Sequence, residues 1–375
     1  MSLNQFTISV KDAIATLLPI ASFASTERAA NEIYKHVLIR CNGSQCFAIS
    51  SNGAQTVIRG VPLPMFGAET FDVCIDGNKL RAILSSLKDA VEDEISITWD
   101  DAVATFKIGR SKLTAAVVCP KGFPDPDKLG NEHSSVVLPF NSLLQSLRAV
   151  SHSVAVRDVR HYFNGCFIQF SNNGFSVTGS DGHRLSRVCK VLNQNGSGAA
   201  EGIAPVKFID LVGANIEKNT GDVRLRMSSH MVEVTWHGGQ IRSTLIDGKY
   251  PDVSPFFESE EKTLFVCRKS EVINSLNRLK ATVFEKLPAI GIEIENNELK
   301  LSTLDDKHQE TGVDFVSAEI SGSDEKLSIN IGYLSDALSQ IDDDMVSFGL
   351  VKFNSVKVAS VSNPEFSAVI AQLRR

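Results

Sequence analysis

Asp181 and His183 stand two residues apart in Ser180-Asp181-Gly182-His183-Arg184-Leu185. A carboxylate beside an imidazole is the simplest acid–base pair a chain can offer, and as a catalytic pair it would activate water for hydrolysis. The surrounding sequence supplies little else for such chemistry. No GxSxG elbow, HExxH, GxxxxGK[ST] or GxGxxG occurs. His36, His133, His230 and His237 are isolated from one another. The acidic runs Asp305-Asp306 and Asp342-Asp343-Asp344 lack the glycine-bearing spacing of a calcium loop, so they read as solvated turns. The cysteines, Cys41, Cys46, Cys74, Cys119, Cys166, Cys189 and Cys267, are odd in number and contain no CxxC, which predicts free thiols in a reducing compartment. No metal, no cofactor and no catalysis are expected.

The elements around Asp181 and His183 explain their spacing better. Tyr162 to Phe170 alternates apolar and polar residues, as a half-buried strand does. Asn172-Asn173-Gly174 is a turn signal, and Phe175 to Thr178 is the returning strand. Ser180 to Leu185 falls where that strand ends. Positive charge gathers here: Arg157, Arg160, Arg184, Arg187 and Lys190 face only Asp158 and Asp181, a local net of +3 in a chain whose net charge is −6. A protein that coats nucleic acid by charge alone is usually basic. Any contact with DNA must therefore come from such a local surface.

Length bounds the architecture. The 375 residues, 43% hydrophobic and 22% charged, suit two or three globular domains. No apolar run approaches the roughly 20 residues that span a bilayer, and Met1-Ser2-Leu3-Asn4-Gln5 has no signal-peptide pattern, so a cytoplasmic location is expected.

A repeat organises the whole chain. A short apolar strand leads into an amphipathic helix six times, with strands starting at Phe6, Phe71, Val137, Ile203, Leu264 and Leu327, spaced 65, 66, 66, 61 and 63 residues apart. So steady a period implies repeated architecture. The predicted helices are Ala13 to Leu18, Lys79 to Leu87, Leu143 to Val150, Phe208 to Ile216, Val272 to Leu279 and Tyr333 to Ile341. Leu80, Ile83, Leu84 and Leu87 show their shared apolar stripe. Each unit is one helix plus about four short strands, and two units are needed to bury both a helix face and a sheet face. The class is α+β, with domains at 1–132, 133–258 and 259–375. Pro120 to His133 and Ser254 to Lys262 read as linkers.

Asp158-Val159-Arg160-His161-Tyr162-Phe163-Asn164-Gly165, followed about twenty residues on by Ser180-Asp181-Gly182-His183-Arg184-Leu185, resembles the central domain of the bacterial sliding-clamp family, the β subunit of the replicative DNA polymerase III. Leu245 to Val253, Asn330 to Leu338 and Val369 to Arg375 extend the likeness along the chain. The resemblance implies three copies of a DNA-clamp domain per chain, closing head to tail with a second copy as a dimeric ring around duplex DNA. It implies a processivity factor in DNA replication, with no catalysis of its own. By the resemblance DNA would be met, without sequence preference, by Arg28, Arg157, Tyr162 and Lys207, with His161 where the family often has an aromatic; Lys79 and Arg148, basic residues on or beside the helices, would add to them. DNA polymerase, clamp loader and repair proteins would insert short peptides, a Gln followed by spaced Leu, Met or Phe, into a pocket. Its walls would be Phe163, Ser180, Gly182, His183, Arg184, Leu185, Pro251, Phe256, Tyr333, Ser355, Val369, Ala371, Gln372, Leu373 and Arg374.

The dimer joint would set Arg110, Lys112 and Leu113 against Asp305, Asp306 and Glu310, opposite charges selecting the partner edge. Two features depart from the family pattern. Ala371-Gln372-Leu373-Arg374-Arg375 replaces an apolar closing run, and Phe163 and Phe256 are bulkier than the aliphatic residues common there. Both point to an altered choice of peptides. The alternatives are a hydrolase using Asp181 and His183, and a clamp-like ring serving a phage, plasmid or repair system.

Overall fold

The computed structural model describes residues 4–26, 31–43, 45–62, 70–123, 133–192, 196–216, 221–258, 262–284, 286, 288–295, 298–304, 309–321 and 326–373. The six strand-to-helix transitions are all present. The helices are Val10–Thr26, Gly77–Ser85, Phe140–Ser151, Val206–Asn215, Lys269–Leu279 and Ile331–Ser339, each preceded directly by a strand. Leu80, Ile83, Leu84 and Leu87 are buried as their spacing requires. The first helix overruns the expected stop at Leu18 and carries Pro19 inside it. A proline there removes one ladder hydrogen bond, and burial of Ile20, Ala21, Phe23 and Ala24 beyond it offsets the loss.

Contacts group the chain into two compact units, the first holding Met1–Leu144, Gly196–Ala200 and Lys207–Leu245, the second Gln145–Asn195, Glu201–Val206 and Ile246–Arg375. The first is built on a 13-stranded sheet. Its order is Asn4–Ser9, Glu94–Trp99, Val103–Ile108, Ser111–Val118, Thr70–Asp76, His36–Asn42, Cys46–Ser51, Gln55–Gly60, Gly239–Thr244, Met231–Trp236, Asp222–Met227, Ser134–Pro139 and Gly196–Ser197. Strands from before and after position 132 share this sheet, since Gln55–Gly60 pairs with Gly239–Thr244.

Ser111–Val118 is bonded along its length to Val103–Ile108, but to Thr70–Asp76 only at Val117 and Val118. The other edge of Ser111 to Ala116 faces no described strand.

Within the same sheet, Arg226, Glu233 and Arg242 lie side by side across three adjacent strands. The Glu233 side chain is fully buried and paired to both guanidiniums, and the Thr235 hydroxyl donates to it at 3.0 Å. Burial alone would raise a carboxyl pKa. The two arginines reverse that and hold Glu233 below the usual carboxylate range.

The second unit is built on a 12-stranded sheet. Its order is Ala200–Pro205, Gly165–Phe170, Gly174–Ser180, Arg184–Val191, Phe366–Ala371, Ser355–Ser360, Met345–Val351, Lys262–Arg268, Glu310–Ile320, Glu298–Leu304, Ala289–Glu295 and Leu327–Asn330. Glu310–Ile320 is paired along nearly all its length to Glu298–Leu304, but to Lys262–Arg268 only through Ala318, Glu319 and Ile320. This second half-open edge carries Val313, 43% exposed, and Phe315, 50% exposed. The expected linker at Ser254 to Lys262 begins with a short helix, Ser254–Phe257, because Phe256 and Phe257 have apolar surface to pack against.

Candidate functional site

The turn between Gly174–Ser180 and Arg184–Val191 is built by its own side chains. The Ser180 hydroxyl donates to the Arg184 carbonyl at 2.8 Å and accepts from the Gly182 amide at 3.1 Å. Asp181 Oδ1 accepts from the His183 and Arg184 amides at 2.9 and 3.0 Å. Gly182 has φ +89°, which favours glycine, and a Cβ there would meet the Arg160 guanidinium at 2.8 Å. Asp181 is thus spent on the turn and on Arg184 Nε at 3.1 Å, and His183 is exposed. The acid–base pair read from the sequence is a capped turn.

Arg184 is the hub of the site. Besides Asp181, its Nη1 donates to Asp336 Oδ2 at 2.6 Å, and its guanidinium lies 4.2 Å from the centre of the Tyr333 ring. Tyr333 is fixed by its helix, whose Asn330 cap accepts from the Gly332 and Tyr333 amides. Burial raises the Tyr333 pKa, with Asp181 adding to it, so the phenol stays neutral at ordinary pH. Behind Arg184, His152 Nε2 lies 3.1 Å from the Ser186 hydroxyl. Burial first, and then Arg184, hold the imidazole pKa below its ordinary value.

The apolar part of the site lies beside this hub. Leu185, Val351 and Val369 form a buried floor, with Val253, Phe256 and Phe257 packed on it and still partly exposed. Leu185 pairs with Val369, and the Ala371 amide donates to the His183 carbonyl at 2.9 Å. Gln372 and Leu373 are fastened to the neighbouring Leu327–Asn330 strand: the Ser328 amide donates to Gln372 Oε1 at 3.0 Å, and the Leu373 amide to the Ser328 carbonyl at 2.8 Å. The tail here is a fixed wall.

Phe163 does not offer open surface. Tyr162 and Phe163 lie in the 3-10 turn His161–Phe163 rather than the strand the alternation predicted, which starts at Gly165. The Phe163 ring is buried with Ile203 and Tyr250, and the Arg160 guanidinium covers it at 4.7 Å. Arg160 in turn is held by Asp158 at 3.0 and 2.8 Å, which draws the Asp158 pKa down to about 2. Ser180, Ser355, Leu185 and Val369 are also buried, so they shape the groove from beneath. Gly182, His183, Pro251 and Ala371 are exposed, and Arg184, Phe256, Tyr333, Gln372 and Leu373 are half-buried. Arg374 lies outside the described residues.

The sequence reading missed Phe353. It is 76% exposed, its φ is +59°, and its ring sits 5.3 Å from that of Phe256. The next residue, Asn354, also has positive φ, +53°. An aromatic at a left-handed turn position is what sequence rules would exclude, so only the asparagine signalled the turn.

The cations assigned to DNA are dispersed. Lys79 is exposed on helix Gly77–Ser85, and Arg148 is exposed in the last turn of Phe140–Ser151. Arg157 is exposed with φ +57°, and Tyr162 is half-buried against Phe163. Lys207 Nζ lies 5.4 Å from the Phe23 ring centre. Arg28, Asp305 and Asp306 lie outside the described residues. On the two half-open edges, Lys112 and Leu113 belong to Ser111–Val118, Arg110 is in the turn before it, and Glu310 opens Glu310–Ile320. Glu310 is already paired with Lys300 of its own chain at 2.9 Å. Asp343 accepts from the Ser360 and Ser362 hydroxyls and the Ser362 and Met345 amides, so it organises a loop. Among the described residues no cluster could hold a metal, and no helix is long and apolar enough to cross a membrane.

The fold and groove define a protein of the DNA-clamp class. Residues 137–252 match the central domain of the DNA polymerase III beta subunit, and residues 256–374 its C-terminal domain. The beta sliding clamp of Pseudomonas aeruginosa is 23% identical over 370 residues, covering 99% of each chain. That of Pseudomonas putida is 24% identical over 371 residues, covering 98% of this chain and 99% of its own. The crystal structure of the DNA polymerase III subunit beta from Pseudomonas aeruginosa superposes with a TM-score of 0.89 over 99% of this chain and all of its own, at 23% identity. The Streptococcus pyogenes beta subunit gives 0.88 over 99% and 100%, at 19% identity. The chain belongs to the DNA polymerase III beta-subunit family, the beta sliding clamps, accessory factors rather than catalysts.

Proposed function

We propose that this sliding clamp closes as a head-to-tail homodimeric ring around duplex DNA and tethers polymerase and other replication or repair proteins through the groove at Arg184. The observation that carries the reading is the pair of half-open strand edges. Ser111 to Ala116 in one unit and Glu310 to Ser317 in the other each leave one row of backbone donors and acceptors without a described strand. Exposed edges invite pairing, and two unlike edges on one chain suit a joint in which each copy offers a different one to its neighbour. The charge complementarity expected of the joint is weaker at Glu310, which already pairs with Lys300 of its own chain. Val313 and Phe315 supply apolar surface instead.

Closure makes retention topological, so weak contacts from Lys79, Arg148, Arg157, Tyr162, Lys207 and Arg28 to phosphates suffice and permit sliding. The groove supports peptide capture for a separate reason. Val253, Phe256 and Phe257 present apolar area over a buried floor, while Arg184, Tyr333 and the Gln372–Leu373 wall fix polar groups beside it. Phe353 extends the apolar rim. The experiment is to load the protein on circular duplex DNA and then linearise the circle. Retention on the intact circle followed by loss on cutting is the expected result. Release from the intact circle at moderate salt would sink the proposal.

A further inference from the structure

Cys41 and Cys46 face each other across the hairpin of His36–Asn42 and Cys46–Ser51, in direct register. The hairpin is closed by the Asn42 amide, which donates to the Gln45 carbonyl at 3.0 Å. Antiparallel pairs alternate between hydrogen-bonded and non-hydrogen-bonded, and the pair next to the closing one is of the second kind. In such pairs the Cα atoms approach to about 4.5 Å, inside the range of about 4.4–6.8 Å that a disulfide spans. The two side chains share a face and are 4% and 6% exposed. Cys74, Cys166 and Cys267 are also buried, but none of them faces another cysteine in register.

We infer that Cys41 and Cys46 form a reversible cross-strand disulfide by exchange with a small-molecule disulfide, making this hairpin a redox-modification site. The Cys41 thiol, as thiolate, attacks a sulfur of R–S–S–R, forming a Cys41–S–S–R mixed disulfide and releasing RS−. The second protein thiol loses its proton, attacks the protein sulfur and expels the second RS−. Two cysteines are oxidised, one small disulfide is reduced to two thiols, and no other oxidant is needed. Asn42 and Gln45, the neighbours of the pair on the turn side, are exposed, and local opening at this end of the two strands admits the reagent. Burial pushes the Cys46 thiol up to about 12, which keeps that thiol protonated while the hairpin is shut. The exposed Cys119 reacts without that gate.

The test is to incubate the whole protein with oxidised glutathione, quench with acid, unfold, alkylate and map the cysteines by mass spectrometry. The expected product is a single peptide that holds both Cys41 and Cys46, unalkylated and lighter by two hydrogens, and that becomes alkylatable at both after dithiothreitol. Cys41 and Cys46 found separately alkylated under conditions that convert Cys119 fully would overturn the inference. So would a bond from either to a different cysteine. In Cys46→Ser no second thiol can expel the glutathione, and Cys41 is expected to keep it. A folded variant with Cys41 unmodified would refute the exchange route. The wild-type map decides alone should the variant not fold.

Discussion

Replacing Phe353 by glycine separates a residue that serves the fold from one that serves a partner. Its left-handed backbone costs an aromatic residue on the order of 1–2 kcal/mol, and glycine removes that cost. The substitution loses the contact with the Phe256 ring at 5.3 Å, worth about 0.5–1.5 kcal/mol, and frees the unfolded chain somewhat. These effects oppose one another, so stability should change by less than about 1 kcal/mol.

Binding has no such offset. A phenylalanine presents about 200 Å², and at 76% exposure roughly 150 Å² of Phe353 is open to a partner. A peptide covering half of it gains about 2 kcal/mol at 25 cal/mol per Å², or roughly 25-fold in Kd. The assay is fluorescence anisotropy of a labelled Gln-Leu-Phe-type clamp-binding peptide, with urea unfolding in parallel. Unchanged Kd with unchanged stability would remove Phe353 from the groove. A stability loss above about 2 kcal/mol would show that the ring serves the fold.

Other outcomes follow from the same geometry. Arg184→Ala leaves Asp181 and Asp336 without their shared cation and should cost about 1–3 kcal/mol in a urea melt, together with weaker peptide binding. Phe315→Asp places a charge on a half-open edge. At micromolar concentration its size should fall from about 82 kDa, twice the 40.8 kDa chain, to that of one chain; an unchanged size would exclude that edge from the joint. His152 has a folded pKa below its ordinary 6.5, so the unfolded chain takes up the proton first. Stability should therefore be lost as pH falls from about 6.5 through the folded value. His152→Gln should show a smaller drop in urea midpoint between about pH 7.5 and about pH 5.5, and an equal drop would refute the assignment.

The repeat was legible because it rests on local pattern. Leu80, Ile83, Leu84 and Leu87 announce a helix face, and the strand before each helix is short and apolar. The turn at Ser180 to Leu185 was equally legible, since serine, aspartate and glycine each have one job there. Where the reading failed, tertiary contacts decided. Tyr162 and Phe163 alternate like a strand, yet the Arg160 guanidinium and the Tyr250 ring draw them into a turn. Pro19 signals a stop that the buried residues beyond it override. Phe353 was invisible because its conformation contradicts its propensity. Asp336 lies far along the chain from Arg184, and no sequence pattern ties a carboxylate to a guanidinium at such a distance.

The row Arg226, Glu233 and Arg242 has a consequence for descent. Loss of Glu233 alone leaves two guanidiniums side by side on a sheet face. Loss of one arginine leaves a fully buried carboxylate with half its compensation. Breaking a buried charge cluster one member at a time costs about 3–5 kcal/mol, whereas replacing the whole cluster by apolar residues of similar volume can be neutral or better. Every single step away is therefore uphill, though the distant end point is not. Selection acting on single substitutions should hold the three residues as a block, so that in diverging lineages they are kept together or exchanged together.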